Sequence, residues 1–200
     1  MKKYFIWIII VLVAAGLGVG AAAAARAGIP GNLSTSGQRI SIDEAVSLAK
    51  QYVSNYDSNL QVSEVMEFSD NFYVVVKESN TGRGAFELLI DPFSGSIYPE
   101  YGPNMMWNSK YSPMGRMMGG VQNGDNTISL DQAAQAAQNY LDANPPGAKL
   151  SPDGVSFYGH YTFDYQINNK TAGMLSVNGV TADVWPHTWH GNFIQEVEVK

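Results

Sequence analysis

There is no cysteine among the 200 residues. Disulfide staples, thiol catalysis, iron–sulfur clusters and covalently attached c-type haem are excluded by that alone. Histidine is nearly as scarce, with His160, His187 and His190 the whole supply. Zinc hydrolysis of the thermolysin kind needs His-Glu-x-x-His on a helix, and no such run occurs. Gly-x-Ser-x-Gly and Gly-x-x-x-x-Gly-Lys-Ser/Thr are absent as well, which removes the nucleophile elbow and the phosphate loop. Acidic pairs exist, Asp43 with Glu44 and Glu64 with Glu67, but helix starts and solvated strand faces account for them. The expectation is a non-enzymatic protein without a resident organic cofactor.

Positive charge is also in short supply. Setting aside Lys2, Lys3 and Arg26 leaves nine of the 12 basic residues against 18 acidic ones. Nucleic acid and anionic membrane surfaces are therefore poor partners. Lys2 and Lys3 precede an uncharged run from Tyr4 to Ala25, apolar in its first half, Phe5 to Val13. As a helix that run would reach about 33 Å, enough to span a bilayer core of about 30 Å with its start on the cytoplasmic side. Ala25-Arg26-Ala27 equally fits a signal-peptide cleavage site. Residues 1–27 are thus expected to be a membrane anchor or a cleaved signal. Both place the rest outside the cytoplasm, as a single-pass membrane protein or a secreted one.

What is abundant is repetition. Ile40-Ser41-Ile42-Asp43-Glu44-Ala45 returns as Ile128-Ser129-Leu130-Asp131-Gln132-Ala133, and the same offset carries Ala49 to Ala137 and Tyr52 to Tyr140. Asp91 to Pro99 lies over Asn178 to Pro186 in nearly the same register. Two copies of one small module are implied. The expected layout is a linker at 28–39, module one at 40–101, a Met/Gly-rich linker at 102–127 and module two at 128–200.

Ser41 with Glu44 and Ser129 with Gln132 are capping-box pairs that start a helix in each copy. Apolar residues then follow at helical spacing, so one face of each helix must be buried. Strands are expected at 60–68, 71–78, 85–90 and 96–98, and again at 155–158, 161–167, 173–177 and 181–185. Short connections make both sheets antiparallel. The predicted fold class is α+β, each module one helix on a small antiparallel sheet. Phe193 to Lys200 alternates, with Phe193, Val197 and Val199 on one side and Glu196, Glu198 and Lys200 on the other. An extra edge strand with charges facing solvent is expected there.

The Ser-x-Asp-Glu-Ala helix start at Ser41 to Ala45 and the Asp91-x-x-x-Gly95-x-Ile97 ending resemble the PepSY domain. The second copy departs from the pattern, with Asn178 and Ala182 in place of Asp and Gly. The resemblance spans most of the exported chain as two tandem copies and implies a cystatin-like α+β fold. It also implies an exported or membrane-tethered protein that binds a protein or peptide partner, with modulation of an extracytoplasmic peptidase as one such role.

Two features invite a metal. Met105, Met106, Met114, Met117 and Met118 crowd the linker, and thioethers are soft ligands for Cu(I). The alternative is adaptable packing over a seam. His187 and His190 stand three apart, a spacing at which a turn aims both rings at one copper or zinc ion, with His160 as a third ligand. The alternative is an aromatic plug in which Trp185 and Trp189 bury while the histidines cap backbone.

Overall fold

In the computed structural model, residues 37–112, 125–144 and 147–199 are described. The anchor-or-signal reading of 1–27 lies outside these residues, as do most of the 28–39 linker and Met114, Met117, Met118 and Lys200. Among the described residues, no helix is long and apolar enough to cross a membrane.

The fold is α+β with two antiparallel sheets. Helix α1, Ile42–Tyr56, begins at Ser41, whose hydroxyl accepts from the Glu44 N–H while the Glu44 carboxylate accepts from the Ser41 N–H. Strands β1 (Leu60–Phe68), β2 (Phe72–Glu78), β3 (Gly84–Ile90) and β4 (Ile97–Pro99) follow as a meander. A one-turn helix α2, Pro103–Met106, leads away from it. Helix α3, Leu130–Ala143, repeats the capping box with Ser129 and Gln132. Strands β5 (Ala148–Ser156), β6 (His160–Ile167), β7 (Lys170–Asn178) and β8 (Val184–Pro186) form the second sheet.

Each helix buries one face on its own sheet. Ala45, Ala49 and Val53 of α1 meet Val62, Val65, Val74, Val76, Leu88 and Ile90. Ala133, Ala137 and Leu141 of α3 meet Tyr161, Phe163, Leu175 and Val177. Alanines at matching positions let both helices sit close, and Tyr52 and Tyr140 pack at the rim of their respective cores. Burying Val53 or Leu141 stabilises by about 2 kcal/mol each.

The other face of each sheet is covered too. Tyr73, Val75 and Leu89, which alternate with the helix-facing residues, join Met66, Phe68, Phe157 and Met174 in a third cluster between the sheets. The sheets therefore lie back to back with a helix outside each. That arrangement covers both faces of the central strands of the first sheet, which is why β2 and β3 are buried almost throughout.

Several expectations are corrected. The C-terminal strand β9, Phe193–Glu198, exists as an edge strand but pairs with β1, giving the order β4-β3-β2-β1-β9. The chain thus returns from the second sheet to complete the first. Its register shifts beside Glu67 and Phe68, so Phe193 packs into the cluster between the sheets while Val199 packs on the α1 side. Phe193 and Val199 therefore do not share one face.

Strand β5 starts at Ala148, earlier than expected. Its pairing to β6 is interrupted between Leu150 and Gly154, around Pro152, which has no N–H to give. The Met/Gly-rich segment is folded in its described first part: Asn104 and Asn108 are buried, and their amides donate to the Glu87 and Ala85 carbonyls. Solvation also fails to account for Glu67, which is buried and bonded to Arg39 and Gln195.

The departures at Asn178 and Ala182 leave the turn intact. Asn178 Oδ1 accepts from the Val180 and Thr181 N–H groups as Asp91 Oδ1 does from Phe93 and Ser94. Ala182 adopts φ 63° where Gly95 adopts φ 67°. An alanine here bears a left-handed conformation that glycine adopts freely.

Candidate polar seam between the sheets

Alternation decides which side chains enter the space between the sheets. In β6, Tyr161 and Phe163 face α3, so His160, Thr162 and Asp164 point the other way, toward the first sheet. In β7, Ser176 does the same, and in β3 Glu87 lies between the helix-facing Phe86 and Leu88. The β5–β6 turn seats His160. Gly159, at φ 99°, lets the Trp107 carbonyl approach so closely that a Cβ would stand 2.1 Å from it.

The result is one buried hydrogen-bonded chain. Glu87 accepts from the Tyr73 hydroxyl at 2.7 Å and from the Thr162 hydroxyl at 2.7 Å, and its other oxygen meets His160 Nε2 at 2.9 Å. Thr162 continues to Ser176 at 2.9 Å, and Ser176 to His187 Nε2 at 2.9 Å. Burial and the neighbouring Glu87 and Glu100 carboxylates push the Tyr73 hydroxyl well above its usual range. His160 stacks on Phe157 with centroids 4.7 Å apart, and its Nδ1 has no hydrogen-bond partner among the described residues.

The chain ends at a triangle. Glu100, just past β4, brings Oε1 to 3.2 Å from His187 Nδ1 and 3.1 Å from His190 Nε2. The two ring nitrogens are 3.4 Å apart. Trp189 Nε1 also donates to Oε1 at 3.3 Å, and Glu100 Oε2, buried, has no hydrogen-bond partner among the described residues. Trp189 stacks on His187 and Phe68 on His190, both at 4.7 Å, so the rings are clamped. Burial alone would raise the Glu100 pKa, but the two imidazoles override it and hold the carboxyl well below its usual range. For His187, burial pulls the pKa down, but Glu100 together with Glu87 and Asp164 outweighs it, leaving it raised.

Of the residues singled out in the sequence, His187 and His190 are brought together. His160 belongs to the same hydrogen-bonded network but pairs with Glu87, at the far end from the triangle. Met105 and Met106 lie in α2, with Met106 exposed. Sequence reasoning missed Glu87, Glu100 and Asn71. A carboxylate inside the apolar run Ala85-Phe86-Glu87-Leu88-Leu89-Ile90 was a usable signal, since a fully buried charge demands partners. Glu100, after the strand-ending Pro99, carried none.

A second feature lies where the ends of β2 and the β5–β6 turn meet. An open groove of about 720 Å³ is lined by Tyr56, Glu78, Lys110, Tyr111 and Tyr158 among others. Glu78 accepts there from Lys110 at 2.6 Å, Tyr111 at 2.8 Å, Tyr158 at 2.8 Å and Thr81 at 2.6 Å. Burial opposes its ionisation, but these donors, Lys110 foremost, hold it down at about 2. The Arg83 guanidinium lies 3.8 Å from the Tyr158 ring centroid.

No protein-family model and no curated protein sequence matches the chain. Among solved structures, the chain is similar to the Bacillus megaterium YpeB C-terminal domain, at 13% identity and a TM-score of 0.29. The match covers 77% of this chain and 65% of that one, just under two thirds of its length.

Proposed function

We propose that this is an exported, non-enzymatic envelope protein whose tandem PepSY-like modules bind a protein or peptide partner. Restraint of an extracytoplasmic peptidase is one role that fits such a module. The observation that carries the reading is the tyrosine-lined groove. Tyrosine gives large contact area with little side-chain entropy to lose and a hydroxyl that adapts to polar partners. Tyr56 is 54% exposed at its rim, while Tyr111 and Tyr158 are already held by Glu78, so part of the surface is set before a partner arrives. Against catalysis stands the burial of the titratable cluster: the side chains of Glu100 and His187 are 0% exposed and that of His190 2%, out of reach of a substrate.

The test is affinity capture from native membranes with the full chain as bait, beside a Tyr56→Ala/Tyr158→Ala variant whose fold is checked by circular dichroism. A partner retained by the native chain and lost by the variant supports the reading. Capture that is indifferent to both tyrosines sinks it.

A further inference from the structure

We propose that Glu100, His187 and His190 form a zinc site that joins the two sheets. This goes beyond partner binding and stands independently of it.

The argument begins with where the protons must be. Asn71 donates its amide N–H to the Trp189 carbonyl at 2.8 Å, which fixes the amide orientation and leaves Oδ1 facing His190 Nδ1 at 2.8 Å. An amide oxygen only accepts, so His190 carries a proton on Nδ1. In the neutral ring its Nε2 lone pair then points at Glu100 Oε1.

The same logic runs along the other chain. Glu87 accepts from Thr162, so the single Thr162 hydroxyl proton is used and Ser176 must donate to Thr162. Ser176 then has only a lone pair left for His187, and His187 Nε2 must donate to it. In the neutral ring the His187 Nδ1 lone pair is therefore aimed at the same point. With both rings neutral, two imidazole lone pairs and a carboxylate oxygen converge in a buried place, and a cation between them satisfies all three, where the alternative is protonation of the rings themselves.

The dimensions select the cation. Zinc binds imidazole and carboxylate at about 2.0–2.2 Å, and a tetrahedron of that size has edges of about 3.3–3.6 Å, within a few tenths of an ångström of those found. The three edges here are 3.1, 3.2 and 3.4 Å. Glu100 Oε2, buried and without a hydrogen-bond partner among the described residues, offers a further donor atom. Two imidazoles and a carboxylate suit zinc better than Cu(I), which prefers sulfur. Asn71 and the Ser176–Thr162–Glu87 chain are the outer partners that fix ring tautomers at zinc sites. An ion here would tie Glu100, at the end of the first sheet, to the His187–His190 turn after the second.

The experiment strips the full chain with a chelator in detergent and titrates Zn(II) against a competing chromophoric chelator. One ion per chain is expected. Glu100→Gln and His187→Gln abolish uptake, and Asn71→Ala weakens it by about 10- to 100-fold. Asp164→Asn, at a separate carboxylate group, leaves it unchanged. Because ligand variants risk misfolding, Co(II) is also added to the stripped native chain, where a tetrahedral visible absorption band that Zn(II) displaces is expected. No uptake by the native chain, uptake that survives Glu100→Gln, or a purely octahedral Co(II) spectrum would each overturn the site and leave a His–Glu ion pair in its place.

Discussion

At the scale of single residues, the buried polar groups set how stability depends on pH. Asp164 sits half-buried in the seam beside Glu64 and Glu196, with one carboxylate oxygen from each of the three within 4.8 Å of the others. Burial first, then those two carboxylates, push its pKa up to about 7, against a weaker opposing pull from His187. A folded-state pKa above the unfolded value means the native state binds the proton more tightly. That stabilisation is complete below about 3.8 and is lost progressively as pH rises to about 7. Asp164→Asn mimics the protonated form and should raise stability at pH 8 by on the order of 2 kcal/mol, after allowance for partial solvent screening. It should also flatten the profile between pH 4 and 7. Urea melts of both proteins across that range check this, and equal slopes would refute it.

At the scale of elements, β9 does the most with the fewest residues. It covers β1 from Glu64 to Phe68, sets Phe193 against Phe68 at 5.7 Å and places Gln195 on Glu67 at 2.7 Å. The sequence disclosed the strand through its alternation. It did not disclose the partner, because period 2 reports that one face is buried and says nothing of which sheet provides the cover. Ending the chain after Asn192 should cost about 3 kcal/mol from lost apolar burial. It should also expose the β1 edge to self-pairing. Denaturant melts and sedimentation velocity read the two effects, and an equally stable monomer would count against this account.

The polar face of β6 taught the opposite lesson. His160-Tyr161-Thr162-Phe163-Asp164-Tyr165 reads as a strand with one wet face. In the fold that polar face is turned to the other sheet, where Glu87 and Tyr73 meet it. Alternation distinguishes polar from apolar faces, but water and a second polar face look alike to it.

At the scale of the whole molecule, three ties hold the described residues together. The sheets share an apolar cluster from both, the Glu87-to-Glu100 network crosses between them, and the chain returns from β8 to the far edge of the first sheet. A polar seam satisfied only when both sides are present makes half-folded states costly, since each half alone would strand buried groups. The two sheets are therefore expected to unfold together. Tryptophan fluorescence of a Trp7→Phe variant, reporting Trp107, Trp185 and Trp189, should follow the same transition as far-ultraviolet circular dichroism. Separate midpoints would mean independent modules.

By itself the sequence determined the local structure: both capping boxes, the faces of α1 and α3, most strands and the three-residue spacing that lets His187 and His190 meet across one turn. These are short-range properties, set by side-chain period and by hydrogen bonds spanning three or four residues. Only the tertiary structure decided that the sheets lie back to back, that β9 crosses to β1, and that Glu100 and Glu87 meet histidines 73 to 90 residues away. Those contacts depend on which buried faces find each other once the chain is compact, and no periodicity in the chain encodes the identity of a distant partner.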